Sequence, residues 1–204
     1  MTTAGFDVDY IENKLVTVNF YKELPSRGYA FIVLRVHSTV IEGTPSVGLF
    51  TSEVYDQTKY VNEVGILNGF IFGSDIKYFG ISPEFVEKSM NGRFDSTAIV
   101  LMGCDGSKHS DLGEAFVNKG ARVFIGWTGT VDITHTDAAT IYLLQILIQG
   151  KKSFRDAIIE TNTKMGPDPV YGSMLRFYPD DAADGTLFDL SILPISQKNI
   201  LVTK

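Results

Sequence analysis

Two residues in this chain are of types that carry covalent chemistry, and each closes a strand-like apolar run. Cys104, the single cysteine, follows Thr97-Ala98-Ile99-Val100-Leu101-Met102-Gly103 and is followed at once by Asp105 and Gly106. His37 closes Phe31-Ile32-Val33-Leu34-Arg35-Val36. A buried strand that ends in such a residue delivers its side chain to the rim of a sheet, and in open α/β sheets ligands bind outside the carboxyl ends of the strands. Two neighbouring strands ending in His and Cys bring an imidazole and a thiol together, the pairing that makes a thiolate near neutral pH. Gly103 and Gly106 flank the thiol with little bulk, leaving room for a substrate carbonyl and for backbone N–H donors. A lone cysteine also serves as a small buried hydrophobe; the strand-end setting and the partner histidine favour chemistry. The other histidines, His109 on a short polar loop and His135 near the start of a long helix, read most simply as surface or capping residues.

The elements that would position these side chains follow from the local patterns. Val16 to Leu24 is a strand or a helix, broken by Pro25-Ser26-Arg27-Gly28. Tyr29 to Val36 is a strand with few polar positions, as expected where both faces are covered. Gly43-Thr44-Pro45 turns the chain toward a hairpin containing Val47 to Phe50. Residues 52–80, weakly patterned and glycine-rich, read as short strands and loops added to an edge. Ser82-Pro83-Glu84 opens a helix to about Met90, with a capping serine, a first-turn proline and an acidic residue near the positive dipole end. The Cys104 strand comes next, followed by a helix over Leu112 to Lys119 and a strand over Ala121 to Trp127. A long helix covers about Thr136 to Gln149, and Ser153 caps another from Phe154 to Thr161. Met174 to Tyr178 and Leu187 to Leu193 read as a hairpin, the C-terminal hairpin at 174–193. Strands alternating with helices imply a mostly parallel sheet with helices on both faces.

Composition bounds the function. At 204 residues the chain fits one domain, 1–204, and 44% apolar with 21% charged residues is ordinary for a globular protein. The net charge of −6, with no Lys/Arg cluster, argues against nucleic acid or an anionic membrane as a partner. The longest apolar stretch, Ala139 to Ile148, is too short to span a bilayer. No CxxC, HExxH, GxGxxG or Walker loop occurs, so no metal or cofactor is expected. The acidic cluster Asp180-Asp181 with Asp184-Gly185 lacks EF-hand spacing and reads as a solvated turn. The start, with Asp7 and Asp9, does not read as a secretory signal. The compartment stays open, because one thiol suits a secreted or a cytoplasmic protein.

The order of these pieces (strand and His37, helix, strand and Gly103-Cys104-Asp105-Gly106, helix, Gly120-Ala121-Arg122-Val123-Phe124-Ile125-Gly126-Trp127, long helix) resembles the caspase–hemoglobinase clan of cysteine peptidases, on its gingipain, clostripain and CHAT side. The resemblance covers roughly Phe31 to Ile159. It implies a caspase-like three-layer α/β sandwich, a cysteine endopeptidase acting on a peptide or protein substrate, and catalytic roles for Cys104 as nucleophile and His37 as acid/base. The two stand 67 positions apart (37 to 104), against roughly 50 in caspases, and the extra length falls in the 52–80 segment as an insertion. In the family a glycine commonly follows the histidine and lends its N–H to the oxyanion; here it is Ser38, which keeps an N–H, with Gly103 and Cys104 as the other backbone donors. The loop after the third strand builds the S1 pocket in these peptidases, and an acidic residue there selects a basic P1 residue. Asp132 is the candidate, with Asp105 and Asp137 in reserve and Trp127 as an apolar wall. The competing expectation is a catalytically silent caspase-like module that binds a partner. Monomer and homodimer both remain open.

Overall fold

In the computed structural model, residues 6–71, 73–149, 152–187 and 199–203 are described. The elements in chain order are β1 (Asp7–Ile11), α1 (Val18–Glu23), β2 (Phe31–Leu34), β3 (Ser38–Val40), β4 (Val47–Val54), β5 (Ile66–Phe70), β6 (Lys77–Ile81), α2 (Pro83–Lys88), β7 (Ala98–Leu101), α3 (Asp111–Asn118), β8 (Val123–Trp127), α4 (Ile133–Gln149), α5 (Phe154–Met165), β9 (Leu175–Tyr178) and β10 (Asn199–Thr203).

The central sheet has the order β1-β10-β2-β7-β8-β9. Neighbours run parallel except at the edge, where β9 lies antiparallel to β8. β2 and β7 are buried at all four positions each, which is why their sequences read as unbroken apolar runs. Strand alternation then divides the core in two. Ile32, Leu34, Ile99, Leu101 and Phe124 face Phe20, Phe85, Val86, Leu112 and Phe116 of α1, α2 and α3. Phe31, Val33, Val100, Val123, Ile125 and Trp127 face Ala139, Leu143, Leu147, Phe154 and Ala157 of α4 and α5. The result is a mixed α/β fold with a mostly parallel central sheet and helices on both of its faces.

Three helices begin at a hydroxyl that accepts an otherwise unpaired N–H. Thr17 Oγ1 accepts from Phe20 N at 3.1 Å, Ser82 Oγ from Phe85 N at 3.4 Å and Ser153 Oγ from Asp156 N at 3.1 Å. The Thr17 cap resolves the Val16 to Leu24 ambiguity in favour of a helix. The chain from 38 to 81 differs from expectation. Rather than extending the central sheet, β5 and β6 join β3 and β4 in a separate antiparallel sheet of order β3-β4-β6-β5. Its Val47, Leu49, Phe79 and Ile81 pack into the core on the α1–α3 side. The C-terminal hairpin is also corrected. The partner of β9 is β8, with Ile125 opposite Phe177; between Tyr178 and Leu187 the chain forms a short 3-10 turn at Asp180–Asp184, and 188–193 lies outside the described residues. No helix among the described residues is long and apolar enough to cross a membrane.

Candidate active site

The parallel pairing of β2 with β7 sets the geometry of the site. Leu34 stands opposite Leu101, the last residue of each strand, and His37 and Cys104 each follow three residues later. The pairing continues one step past the strands, where Met102 N donates to Leu34 O at 2.8 Å. Beyond that the two exits are pinned together directly: the Ser38 hydroxyl donates to the Cys104 carbonyl at 2.5 Å. Only glycine fits between them, because a Cβ on Gly103 would overlap the Ser38 hydroxyl and the Val36 carbonyl oxygen. His37 and Cys104 line the same cavity, of about 550 Å³.

The backbone around the sulfur is supplied with free donors. In the β3–β4 hairpin, Phe50 N donates to His37 O and Ile41 N donates to Ser46 O. Ser38 and Leu49 face each other between those rungs, so they form a non-hydrogen-bonded pair and the Ser38 N–H turns away from β4. The Gly103 and Cys104 N–H groups likewise make no hydrogen bond with a described residue. The thiol itself points toward the Val131 carbonyl, at 3.9 Å. The His37 ring is exposed and makes no hydrogen bond with a described residue, the Cys104 thiol included.

The loop after Cys104 is stitched onto the chain that leaves β8. Asp105 takes a left-handed backbone (φ 59°), which an aspartate tolerates better than most residues. Its N–H donates to Gly129 O at 2.9 Å, and Ser107 N donates to Trp127 O at 2.8 Å. Its carboxylate pairs with Lys108 at 3.3 Å.

The expected S1 residues are placed elsewhere. Trp127 is 1% exposed; its indole N–H donates to Thr136 Oγ1 at 2.8 Å, and it belongs to the core beneath α4 rather than to a cavity wall. It shares a strand face with Val123 and Ile125, which dictates that orientation. Asp132 caps α4: its Oδ1 accepts from Thr134 N at 2.8 Å and His135 N at 3.3 Å. It does not line the cavity. Asp137 is also engaged, holding Arg35 through both oxygens at 2.9 and 3.0 Å. The residues that do wall the cavity include Met102, Val131 and Ile133, with Phe50, Ile71 and Tyr78 from the second sheet and its connections. Val131 lies in the loop after the third strand, the segment expected to build the pocket; Met102, part of the apolar run before Cys104, carried no separate signal.

His135 lies in the first turn of α4 with its ring 5.4 Å from that of Trp127, and His109 lines a separate, smaller cavity beside Arg176. Among the described residues no group of three or more His, Cys, Asp or Glu is arranged to hold a metal ion. Compared with family models, with curated proteins and with solved structures, the chain matches none.

Proposed function

We propose that this protein is a cysteine-type hydrolase of peptide bonds, with a caspase-like three-layer arrangement and a His37/Cys104 dyad. The observation that carries this reading is the junction of the two strand exits, Ser38 Oγ to Cys104 O at 2.5 Å, with imidazole and thiol on one cavity. In the reaction the Cys104 sulfur, having given its proton to His37, attacks the scissile carbonyl carbon. The unpaired N–H groups of Ser38, Gly103 and Cys104 are the donors available to the oxyanion. The C–N bond breaks as His37 returns the proton to the departing amine, leaving a thioester on Cys104. Water, deprotonated by His37, then attacks the thioester and releases the acid and the free thiol.

Labelling tests the reading. Iodoacetamide or a peptidyl acyloxymethyl ketone is expected to modify Cys104 in the native protein, as located by mass spectrometry. His37→Ala is expected to slow that modification by at least about tenfold near neutral pH, because the thiolate fraction falls. A Cys104 that reacts only after denaturation is packing, and the reading is then lost.

One observation favours a second reading, a catalytically silent module that binds a partner: no described side chain orients the His37 ring. Turnover of a peptide library that disappears in Cys104→Ala decides against that alternative.

A further inference from the structure

The cavity beside the nucleophile differs from a pocket built for a basic side chain. Among the described residues its charged lining is Lys14 and Arg35, both cations, with no carboxylate. Both cations are already committed: Arg35 is held by Asp137 through two contacts, and Lys14 pairs with Glu12 at 2.7 Å. A Lys or Arg side chain entering here finds no carboxylate among the described lining residues, and an Asp or Glu side chain finds both cations already paired. The apolar lining includes Met102, Val131 and Ile133. Met102, 8% exposed, follows directly on the last residue of β7. Val131 is equally buried, and its carbonyl receives the thiol. Ile133 opens α4 with its side chain largely free. Thr136 fixes this wall by donating from its hydroxyl to Met102 O at 3.1 Å while accepting from Trp127. At about 550 Å³ the cavity lies within the range of sites that enclose a small ligand, with ample space for a long aliphatic or aromatic side chain.

We infer that the site selects an apolar residue on the amino side of the scissile bond, with Met102, Val131 and Ile133 determining specificity. This rests on Cys104 being the nucleophile. Peptidyl acyloxymethyl ketones that differ only at the residue next to the warhead (Leu, Met, Phe, Arg, Lys, Asp) are compared by their rates of Cys104 modification, read by intact mass. Iodoacetamide, which needs no pocket, reports the thiol alone. The Leu, Met or Phe reagent is expected to react at least about tenfold faster than the Arg and Lys reagents, the factor that burial of one apolar side chain supplies. Ile133→Asp, at an exposed first-turn position where an acidic residue suits the helix, is expected to raise the Arg rate relative to Leu by about tenfold or more. A wild-type protein that reacts fastest with Arg, Lys or Asp overturns the inference and leaves the nucleophile standing. So does modification by iodoacetamide with no reaction from any peptidyl reagent. Native protein inert to iodoacetamide overturns both.

Discussion

The Ser38 hydroxyl has a structural task. Ser38 is 6% exposed and donates to the Cys104 carbonyl, so the His37 exit and the Cys104 exit are held as one unit. Ser38→Ala removes a buried hydrogen bond, a loss of about 1 kcal/mol, and is expected to lower Tm by about 2–4 °C for a chain of this size. It should also slow Cys104 modification by peptidyl reagents more than by iodoacetamide, because the peptide must meet both exits and the small reagent only one. Gly103→Ala forces a methyl group into the same junction, and overpacking of this kind costs about 1–3 kcal/mol. The double variant Ser38→Gly with Gly103→Ala tests the assignment. It is expected to recover only part of the loss, since the Val36 carbonyl oxygen still opposes the new Cβ. Full recovery would place the whole constraint on the serine.

At the scale of elements, the entry to α4 depends on a carboxylate distant in sequence. Asp168, 2% exposed, accepts from Asp132 N at 2.7 Å, Val170 N at 2.9 Å and Tyr171 N at 2.7 Å. Burial alone pushes its pKa up, but the three N–H donors outweigh this and hold the carboxyl below its ordinary value. The folded value thus lies below the unfolded one. The stabilisation is complete above the unfolded value of about 3.9 and is lost as pH falls through the folded value. Asp168→Asn keeps the shape and removes the charge. It is expected to cost about 1–3 kcal/mol at neutral pH and to flatten the fall in Tm between about pH 5 and pH 2; a variant that loses stability in parallel with wild type across that range would exclude this carboxylate. The neighbouring elements show what was legible in the sequence. The Ser82 and Ser153 caps were readable because cap and helix lie within a few residues of each other. The strand exits at His37 and Cys104 were readable because β2 and β7 are equal in length and continuously apolar. Trp127 was expected at the strand exit as a pocket wall, but its spacing from Val123 and Ile125 along the same strand assigns it to the inner face. Asp132 carried two local meanings, pocket carboxylate and helix cap, and only the N–H groups of Thr134 and His135 decide between them. β1 and β10 gave no signal, since β1 carries Asp7 and Asp9 and has no buried position, and the two strands meet from opposite ends of the chain.

For the molecule as a whole, the site lies where two sheets of different character meet. The central strands β2, β7 and β8 are buried at every position and covered by helices on both faces. The second sheet is thinner: β5 lies at its edge and has no buried position, and Phe70 is 56% exposed. Cys104 therefore projects from the central layer, while Phe50 and Tyr78, which also line the cavity, belong to the second sheet. Local opening free energies range from near zero at such edges to the global value in core strands. Amide hydrogen exchange is expected to show the protected amides of 31–34, 98–101 and 123–127 exchanging only with global unfolding, and those of 66–70 at least about tenfold sooner. A covalent peptidyl inhibitor on Cys104 that fills the cavity is expected to slow exchange in the second sheet selectively, because it joins the mobile wall to the fixed one, and to leave the central strands at their global limit. Equal protection of β5 and β7 in the free protein would mean that the two sheets open as one body and that the cavity is rigid before any substrate arrives.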